Sequence, residues 1–513
     1  MLTDHREHIY AISPSDLAIY NRVLPAKSFL LDALDVVDWT EFEKLVIACY
    51  CQEVGQPAYP PVRMLKLELL SYIYGLSDRQ VIERASTDLL FRYFLQVGLL
   101  APLPSSSSLT RFRARLGADN FQKIFDALVS QARKLGLIKD RLRLTDASHV
   151  IASIAIPTTL ELLAQLRDRM LNAIGSLCAA DAEGFRIKMK SIRDQEDSND
   201  ASSRLQGRAN LISSMLDWLN DYLATNPTRS SSEILSLRDM ATKILSEFRD
   251  PTKKDRTLSV VDPDARTGFH HGFYTGYSIS VLVDGDSGLL TTLDVLAANA
   301  DEARNVTALA KYEEAAHGND IETLSIDGIG FHGPTLRELE DPNGLAINVI
   351  TPVHDFSPTP GFDSSKFEAT EDGQRLRCPQ GHESQKGFAI KDKPHLQIFE
   401  FAPSHCRNCP LRPQCHPTMK DTSRKGRKVR VNEYASEYER ARSKTKTEEY
   451  AQIRKEHPMV ERTLNELVNH RKARRARYWG VAKTKLQGLL AGTVMNLKRI
   501  LRMVRTQAQL QVA

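Results

Sequence analysis

The chain has 513 residues, of which 42% are hydrophobic and 26% are charged, and this length exceeds what one hydrophobic core usually supports, so we expect two or more domains. No apolar run approaches the roughly 20 residues of a membrane span, and the first residues lack the pattern of a signal peptide, which predicts a cytoplasmic protein with no membrane segment. The net charge of +5 does not by itself indicate a nucleic-acid-binding protein, but the basic residues are concentrated in short tracts near the C-terminus.

Residues 1–137 are predicted to form a helical N-terminal domain. Apolar residues recur at helical spacing up to a break at Gly75, and Ser77 suits the N-cap of the next helix. A further helix after a run of serines carries Arg111 and Arg113, which are candidates for contacts with DNA. The pattern favours a helix-turn-helix-like DNA reader, and the alternative is an ordinary helical bundle with a solvated basic helix.

Strands and helices then alternate around two aspartates. Leucines alternate with polar residues before Asp146, which predicts a strand that presents this acid at or near its end. Residues 157–252 follow as a predicted helical insertion. A strand hairpin is expected to turn at residues 284–288, followed by a helix from Asp301. A second alternating strand stops at Asp327, in a turn pair with the next glycine.

Residues 358–430 are rich in Pro, Gly and charge, with little apolar periodicity, and contain four of the seven cysteines. These four are Cys378, Cys406, Cys409 and Cys415. Four thiolates, two of them in a Cys-x-x-Cys turn, can hold structural zinc in a tetrahedron and stabilise a segment that has little core. We predict a small zinc-binding insertion with these four cysteines as ligands, and with His382, His405 or His416 as alternative ligands. A redox-active cysteine pair is the other interpretation, but no flanking strand is evident.

The C-terminal region combines an acid with basic tracts. Pro458 predicts a helix start, because its missing N–H is not needed in a first turn, and Glu461 would lie in that turn. Lysines and arginines on both sides can neutralise DNA phosphates, and an exposed tryptophan can stack on an unpaired base. The candidates are Arg427, Lys428, Arg471, Arg474, Arg475 and Trp479. A charge run is more often a solvated face, but these tracts bracket an acid.

Asp146, Asp327 and Glu461 are the residue types that a metal-dependent phosphoryl-transfer site needs. Mg²⁺ prefers oxygen ligands, and two such ions can activate a nucleophile on one side of a phosphorus and stabilise the leaving oxygen on the other. Taken singly, each acid is more typical of a turn or a helix cap. Spacing alone does not join them into a site.

Several segments resemble the DDE-type transposases of bacterial insertion sequences, and together they span most of the chain. They are LTDASHV (144–150), VVDPDARTGFHHGFYTGYSISVLVD (260–284), LSIDGIGFHG (324–333), RRARYWGVAKTKLQGLLAGTVMNLKRI (474–500), and, as the helical N-terminal domain, residues 57–96 and 105–117. The most specific pieces are DPDAR and NLKR. The resemblance implies an α/β ribonuclease-H-like catalytic core made of residues 138–156 and 253–357. A C-terminal helical part, residues 431–513, would carry the glutamate.

By this resemblance, Asp146, Asp327 and Glu461 match the family's catalytic acids and would hold two Mg²⁺ or Mn²⁺ ions. The implied activity is cleavage of DNA at the element's terminal inverted repeats, followed by transfer of the freed 3′-hydroxyl to target DNA, without a covalent protein–DNA intermediate. The implied assembly is a homodimer or larger oligomer. Arg266, in DPDAR, and His149, beside the first acid, are candidates for phosphate contact or for support of the acids.

One departure from the family's pattern leaves the identity of the third acid open. The family often places a tyrosine and an arginine shortly before the glutamate and a lysine about two turns after it. Here Tyr450 and Arg454 lie further upstream, and Leu467 or His470 stands where the lysine is expected. Glu456 and Glu466 therefore remain alternatives to the predicted residue.

Two other functions remain open. A host-adopted nuclease of the same fold would cut DNA without strand transfer. A non-catalytic zinc protein derived from such an element would bind DNA without cutting it, although the intact set of three acids argues against this interpretation.

Overall fold

The structure is a computed structural model that describes residues 7–51, 57–195, 200–250, 252–253, 255–270, 272–354, 361–418 and 425–512. The helices of these residues are α1 (Glu7–Tyr10), α2 (Pro14–Val23), α3 (Phe29–Val36), α4 (Trp39–Ile47), α5 (Pro61–Tyr74), α6 (Asp78–Thr87), α7 (Leu89–Phe94), α8 (Ser106–Lys134), α9 (Thr159–Leu177), α10 (Ala179–Gln195), α11 (Ala201–Thr225), α12 (Ser232–Arg249), α13 (Glu302–His317), α14 (Gly333–Leu339), α15 (Pro403–Arg407), α16 (Arg412–Cys415), α17 (Ala435–Lys444), α18 (Glu448–Glu456), α19 (Pro458–Asn465) and α20 (Val481–Val512). The strands are β1 (Arg143–Ile151), β2 (Arg266–Phe269), β3 (Phe273–Asp284), β4 (Leu290–Ala297), β5 (Thr323–Ser325), β6 (Asn348–Ile350), β7 (Glu368–Ala369), β8 (Leu376–Arg377), β9 (Phe388–Ile390), β10 (Lys393–Glu400) and β11 (Lys428–Asn432). The fold is mixed α/β with a helical N-terminal region. Over the described ranges, no helix is both long enough and apolar enough to span a bilayer.

The break and the cap predicted in the N-terminal region are confirmed. α5 ends at Gly75, whose positive φ of 66° suits a residue without a Cβ. α6 begins after Ser77, whose hydroxyl accepts a hydrogen bond from the backbone N–H of Gln80 at 3.3 Å. This hydroxyl satisfies one of the free N–H groups of the first helical turn.

A mixed sheet of six strands, counted over the described residues, lies beside these helices. β3 pairs antiparallel with β1, and along its other edge with β2 and then β4. β1 pairs in parallel with β5, and β5 in parallel with β6. The order across the sheet is therefore β4-β3-β1-β5-β6. The predicted hairpin at residues 284–288 joins β3 to β4, and Asp301 caps α13, so both predictions are confirmed.

Helices cover both faces of this sheet. Alternate residues of a strand point to opposite faces, and β3 accordingly places Val281 in an apolar cluster with α8, α19 and α20. The next residue, Leu282, belongs to a second cluster with α13 and α14. α19 and α13 thus approach the sheet from opposite sides.

The N-terminal helices share the first of these clusters with the sheet and with α20. Its buried members include Phe112 and Phe125 of α8, Leu293 of β4, and Leu490 and Val494 of α20. The helical region is therefore packed onto the sheet through the last helix.

The NLKR segment secures that packing. The side-chain carbonyl of Asn496 accepts a hydrogen bond from the Leu290 backbone N–H at 2.9 Å, and its amide donates to the Leu290 carbonyl at 2.7 Å. This buried side chain satisfies backbone groups at the start of β4 as another strand would. Arg499 donates to Glu466 at 2.9 Å and to Thr463 at 3.1 Å, which fixes α19 and the π-helical turn that follows it.

Two inserted segments have apolar clusters of their own. Helices α9 to α12, between β1 and β2, bury Leu166, Ile212 and Ile244 among others. Residues 361–431 carry the sheets β7–β8 and β9–β10–β11. The buried apolar residues of this second segment are Phe367, Leu376, Phe399, Phe401 and Val429.

Candidate active site

The sheet divides just before Asp146. β1 and β5 pair only as far as Leu144 and Ser325, whereas β1 continues to Ile151 beside β3. Asp146 therefore lies inside β1, and the prediction that it ends the strand is wrong, because β3 still supports β1 after β5 has separated from it. Openings at the carboxyl ends of parallel strands are common ligand sites.

Asp327 lies across this opening, two residues after β5, close to where the sequence predicts the strand to stop. Its backbone carbonyl accepts a hydrogen bond from Thr351 Oγ1 at 2.8 Å, and its carboxylate accepts one from the Ile329 N–H at 3.1 Å. The carboxylate of Asp146 accepts from the Ala147 N–H at 2.7 Å. Asp146 and Asp327 line one small cavity.

Glu461 lies in the first turn of α19, which begins at Pro458 as predicted. α19 packs against β1, and the Glu461 side chain is exposed. The negative charges of Asp327 and Glu461 both act on Asp146. The three predicted acids are therefore brought together, although they lie far apart in the sequence.

The Asp146 carboxyl holds its proton unusually strongly. Burial and, to a smaller extent, the charges of Asp327, Glu461 and Glu302 raise the pKa of Asp146 to about 7, against the opposing hydrogen bond from Ala147. A cation that binds among such carboxyl groups favours their ionised forms and lowers their pKa. Such perturbed acids in a cavity are typical of functional sites.

Glu302 is the acid that sequence reasoning missed. It is the first residue of α13 and lines the same cavity as the two aspartates. In the sequence, Asp301 and Glu302 form an acidic pair at a helix start, which is typical of capping and gives no signal of a further role.

Arg454 also lies beside the acids, despite its distance from Glu461 in the sequence. Its Nη1 donates to the Ile326 carbonyl at 2.9 Å and to Ser325 Oγ at 3.3 Å. Burial lowers the pKa of Arg454, and the charges of Asp327 and Glu461 oppose that shift. Arg454 lies in the last turn of α18, and Glu461 in the first turn of α19.

The two alternative third acids are used elsewhere. Glu456 forms an ion pair with Arg141 at 2.8 Å. Glu466 forms ion pairs with Arg471 at 2.7 Å and Arg499 at 2.9 Å. Both therefore serve as ion-pair partners, whereas the charge of Glu461 acts on Asp146.

The prediction that Arg113 contacts DNA is wrong. It is buried and donates to Glu68 at 2.7 Å and to Asp78. Its guanidinium also lies 5.3 Å from the ring centroid of Tyr478. Arg113 is buried because the buried carboxylate of Glu68 requires a cation beside it. Arg111, two residues earlier, is exposed.

The predictions that Arg266 and Arg427 contact DNA are also wrong, because both side chains are buried. Arg266 is buried, pairs with Asp255 and donates to the Pro263 carbonyl at 2.6 Å. Arg427 is buried and donates to the Phe362 carbonyl at 2.7 Å. Neither guanidinium is available to a DNA phosphate.

Asp262, the first residue of DPDAR, and His149 also support the local structure. Asp262 is buried and accepts hydrogen bonds from the Tyr277 hydroxyl at 2.6 Å and the Gly480 N–H at 3.1 Å, which joins β3 to the start of α20. The ring of His149 packs against His270, with centroids 5.0 Å apart.

The C-terminal basic tract is partly structural and partly exposed. Arg474 donates to the His149 carbonyl at 2.7 Å, and its own carbonyl accepts from the Ile151 N–H at 2.8 Å. Arg471 is committed to Glu466, as described above. The predicted DNA contacts whose side chains remain exposed are Arg111, Lys428, Arg475 and Trp479, of which Lys428 also pairs with Glu400. The start of the other basic tract, residues 423–424, lies outside the described residues.

The four cysteines of residues 361–431 line a single cavity, together with His382 and His405. The two histidine rings stack with centroids 4.4 Å apart. The backbone N–H of Arg427 donates to Cys406 Sγ at 3.5 Å. Cys49 and Cys178, by contrast, lie elsewhere in the helical parts of the chain.

Neither cluster has ligand geometry as it stands. Within the part of the chain that the structure describes, no group of three or more His, Cys, Asp or Glu side chains is positioned to hold a metal ion. The two aspartates line one cavity and the four cysteines line another, but neither set is positioned to hold a metal ion among the described residues.

Two family models match the sequence. A family described as a transposase domain (DUF772) matches residues 18–115, and one described as a transposase DDE domain matches residues 377–501. The second match includes the four cysteines, Glu461 and the NLKR segment.

Among the curated proteins, an uncharacterized protein, ORF8 in the nfe locus of Rhizobium meliloti, is 26% identical to this chain over 117 residues. The match covers 22% of this chain and 56% of that protein, so the chain spans about half of the length of this relative. No solved structure matches the chain.

Proposed function

Because the chain belongs to the DDE-type transposases of insertion sequences, which cleave DNA and transfer the cut strand, we propose that Asp146, Asp327 and Glu461 are its catalytic acids. The observation that carries the proposal is that both aspartates line one cavity and that the charges of Asp327 and Glu461 act on Asp146. The reaction then takes place where β1 and β5 separate.

The strand order supports a ribonuclease-H-like assignment for this core. Three antiparallel strands, β4, β3 and β1, are followed by the parallel strands β5 and β6. In this arrangement the first acid lies on the central strand β1 and the second follows its parallel neighbour β5. The third acid is supplied by a helix that packs on β1.

The residues fit Mg²⁺ or Mn²⁺. The donor set consists of carboxylate oxygens, which these hard cations prefer. Burial and the neighbouring carboxylates raise the pKa of Asp146, and a bound cation would favour its ionised form. Asp146, Asp327 and Glu461 would hold the ions, which would activate the attacking water or 3′-hydroxyl and stabilise the leaving oxygen.

Neighbouring residues position the acids. Arg454 holds the end of β5 through the Ile326 carbonyl and carries a positive charge next to two of the acids. His457 is buried and contacts Ser325 Oγ through Nδ1 at 3.0 Å. Burial, with a contribution from Arg454, lowers the pKa of His457 to about 4, so the imidazole stays neutral and adds no charge near neutral pH.

The exposed basic residues are proposed to contact DNA. Arg111, Lys428 and Arg475 are placed to neutralise phosphates, and Trp479, whose side chain is 53% exposed, offers a ring for an unstacked base. The substrates are the element's terminal inverted repeats and target DNA. A homodimer or larger assembly would hold the two ends together.

The cysteine cavity is proposed to hold one structural zinc ion. Cys378, Cys406, Cys409 and Cys415 line it together, and the Arg427 N–H to Cys406 Sγ contact resembles the hydrogen bonds that thiolate ligands accept. The four side chains would have to move to bind the ion, since ligand geometry is not present among the described residues.

A cleavage assay tests the catalytic assignment. Purified full-length protein is incubated with Mn²⁺ and a duplex that carries the terminal repeat read from the DNA flanking the gene. Asp146→Asn, Asp327→Asn and Glu461→Gln are expected to lower strand cleavage by orders of magnitude without loss of DNA binding. Glu456→Gln and Glu466→Gln are the matched controls.

If Glu461→Gln keeps its activity while one control loses it, the third acid is assigned wrongly. A strand-transfer readout in the same assay distinguishes a transposase from a nuclease, because a nuclease cuts without joining the 3′-hydroxyl to a target.

A further inference from the structure

We propose that Phe269 and Phe273 form a wedge that inserts between base pairs of the DNA end that the protein cuts. The two side chains are 72% and 84% exposed. Apolar side chains that insert between base pairs partially unstack a base step and bend the duplex. The inference rests on the proposed function, because it assigns to the same reaction a DNA contact outside the active site.

The two rings stand together at the outer end of a two-stranded ribbon made of β2 and the start of β3. Phe269 is the last residue of β2 and Phe273 is the first residue of β3. The two residues are paired directly across the ribbon, and their ring centroids lie 5.3 Å apart at an interplanar angle of 72°. Residues paired in this way point to the same face. A ribbon of two strands is narrow enough to enter a DNA groove.

The other face of the ribbon is packed against the protein. Tyr274 points to that face, because consecutive residues of a strand alternate, and its ring lies 5.1 Å from that of His149 on β1. Gly268 is paired with Tyr274, and a Cβ at Gly268 would lie 2.6 Å from the Ala298 carbonyl oxygen. The ribbon is therefore held on one side and presents its phenylalanines on the other. A contact surface that is already ordered costs less to bind.

The wedge lies on the same face of the sheet as the acids. Phe273 and Val281 share one face of β3, since they are an even number of residues apart. Asp146 is paired with Val281, and α19, which carries Glu461, packs in the apolar cluster that contains Val281. The eight residues from Phe273 to Val281 span at most about 29 Å. This length corresponds to roughly eight base-pair steps, so one duplex can reach both places.

Basic and aromatic residues accompany the wedge on this face. The Gly480 N–H donates to the Tyr277 hydroxyl at 3.1 Å, and Tyr277 shares the face of Phe273. Trp479, the neighbour of Gly480, is exposed, as are Arg475 and Lys483 on either side of it. Cations placed here can neutralise the phosphates that flank an opened base step. The charge of this face is thus complementary to DNA.

The size of the apolar patch favours DNA over a protein partner. Two phenylalanine side chains bury at most about 250 Å² each, whereas a stable protein interface needs about 800 Å² per partner. An opened base step needs only rings on which its bases can stack. The first strand is cut in the duplex at the element's end, so we assign the wedge to that duplex and not to target DNA.

Fluorescence of 2-aminopurine tests this inference, because this base brightens when it is unstacked. Full-length protein is bound, without Mg²⁺ or Mn²⁺, to terminal-repeat duplexes that carry one 2-aminopurine each, placed from the scissile phosphate outward over about ten base pairs. The unchanged protein is expected to raise the fluorescence at one or two neighbouring positions. Phe269→Ala combined with Phe273→Ala should remove that rise, and Phe273→Trp should keep it. Phe388→Ala, at a phenylalanine of β9 that is 51% exposed, is the matched control.

Cleavage with Mn²⁺ gives a second readout. The double alanine variant is expected to cut on the order of tenfold more slowly than the unchanged protein, because two stacking rings are lost. A mismatch at the responsive step should restore part of the rate, since mismatched bases are easier to unstack. Phe388→Ala should cut normally on both duplexes.

Four results would overturn the wedge. They are an unchanged fluorescence rise with the double variant, an equal loss with Phe388→Ala, a rise found only in a duplex without the terminal repeat, and dissociation of a protein oligomer by the double variant without a change in fluorescence. Asp146→Asn should keep the fluorescence rise and lose cleavage. If Asp146→Asn cuts normally, the proposed function fails whatever the fluorescence shows, so the two failures are distinguishable.

Discussion

The acid cluster at the opening of the sheet and the cysteine cluster of residues 361–431 both bring side chains from separate sequence segments to one cavity, but the two cavities are built differently. The acids lie on strands and helices that belong to the main apolar clusters of the molecule. Cys378, Cys406 and Cys415 pack against a cluster of five buried apolar residues, which is a small core for a segment of this length.

A metal ion would therefore act differently in the two cavities. At the acid cluster the surrounding core already fixes the backbone, so an ion adds chemistry and relieves repulsion. At the cysteine cluster the core is too small to hold the segment firmly, so an ion would add stability. Loss of a ligand should therefore have effects of opposite sign on stability in the two clusters.

The largest expected effect on stability comes from the cysteines. Cys406→Ser is expected to abolish zinc binding and to expose residues 361–431 to proteolysis, because the segment would keep only its small apolar core. The unchanged protein should contain close to one zinc per chain by elemental analysis. Cys178→Ser, a change in the helical insertion, is the matched control.

Protein that contains no zinc after expression with the metal supplied would contradict the zinc assignment. Equal protease resistance of both variants would show that the apolar cluster suffices, and the contrast between the two clusters would then disappear.

A smaller effect is expected from the basic residues next to the cysteines. Arg427→Ala removes a buried side chain that holds the Phe362 carbonyl and is expected to cost about 1–3 kcal/mol, read as faster proteolysis of the segment. Lys428 is the exposed neighbour of Arg427. Lys428→Ala is expected to weaken DNA binding slightly and to reduce its salt dependence slightly. It should leave the protease resistance of the segment unchanged.

The reverse result, in which Arg427→Ala weakens DNA binding without affecting proteolysis, would restore the phosphate contact predicted from the sequence. It would also mean that the cysteine segment does not depend on its buried cation.

Much of the acid cluster could be predicted from the sequence, because local patterns determine it. The alternation before Asp327 indicates a strand, and Pro458 indicates the start of the helix that carries Glu461. The local pattern misplaces Asp146 relative to its strand, since the length of β1 depends on β3, a partner more than 120 residues later in the chain.

The burial of cations could not be predicted, because it depends on distant partners. Arg113 and Arg111 occupy similar positions in a basic helix, yet Glu68 and Asp78, from two other helices, bury only Arg113. The place of Glu302 in the cavity could not be predicted for a related reason, since it depends on Ser278 of β3, which donates a hydrogen bond to its carboxylate. Sequence patterns describe one element at a time and do not contain these pairings.

A further effect, of a size similar to that of Arg427→Ala, distinguishes the two clusters by the sign of the change in stability. Asp146 has a pKa of about 7 in the folded protein against an ordinary value of 3.8. Below pH 4 both folded and unfolded chains carry the proton. As the pH rises from 4 to 7, the unfolded chain releases it first, so the metal-free protein loses stability over this window and regains none above it. Asparagine does not ionise, and Asp146→Asn therefore avoids the loss.

We expect Asp146→Asn to match the unchanged protein near pH 4 and to exceed it by on the order of 1–3 kcal/mol at pH 8, measured by denaturant unfolding without added Mg²⁺ or Mn²⁺. Asp239→Asn, at a side chain that is 67% exposed, is the control and should show no such trend. Added Mn²⁺ should stabilise the unchanged protein and narrow the difference, because the bound cation offsets the repulsion among the acids. If Asp146→Asn were instead less stable at pH 8, the acids would support the fold as the cysteines are proposed to do, and the contrast between the two clusters would fail.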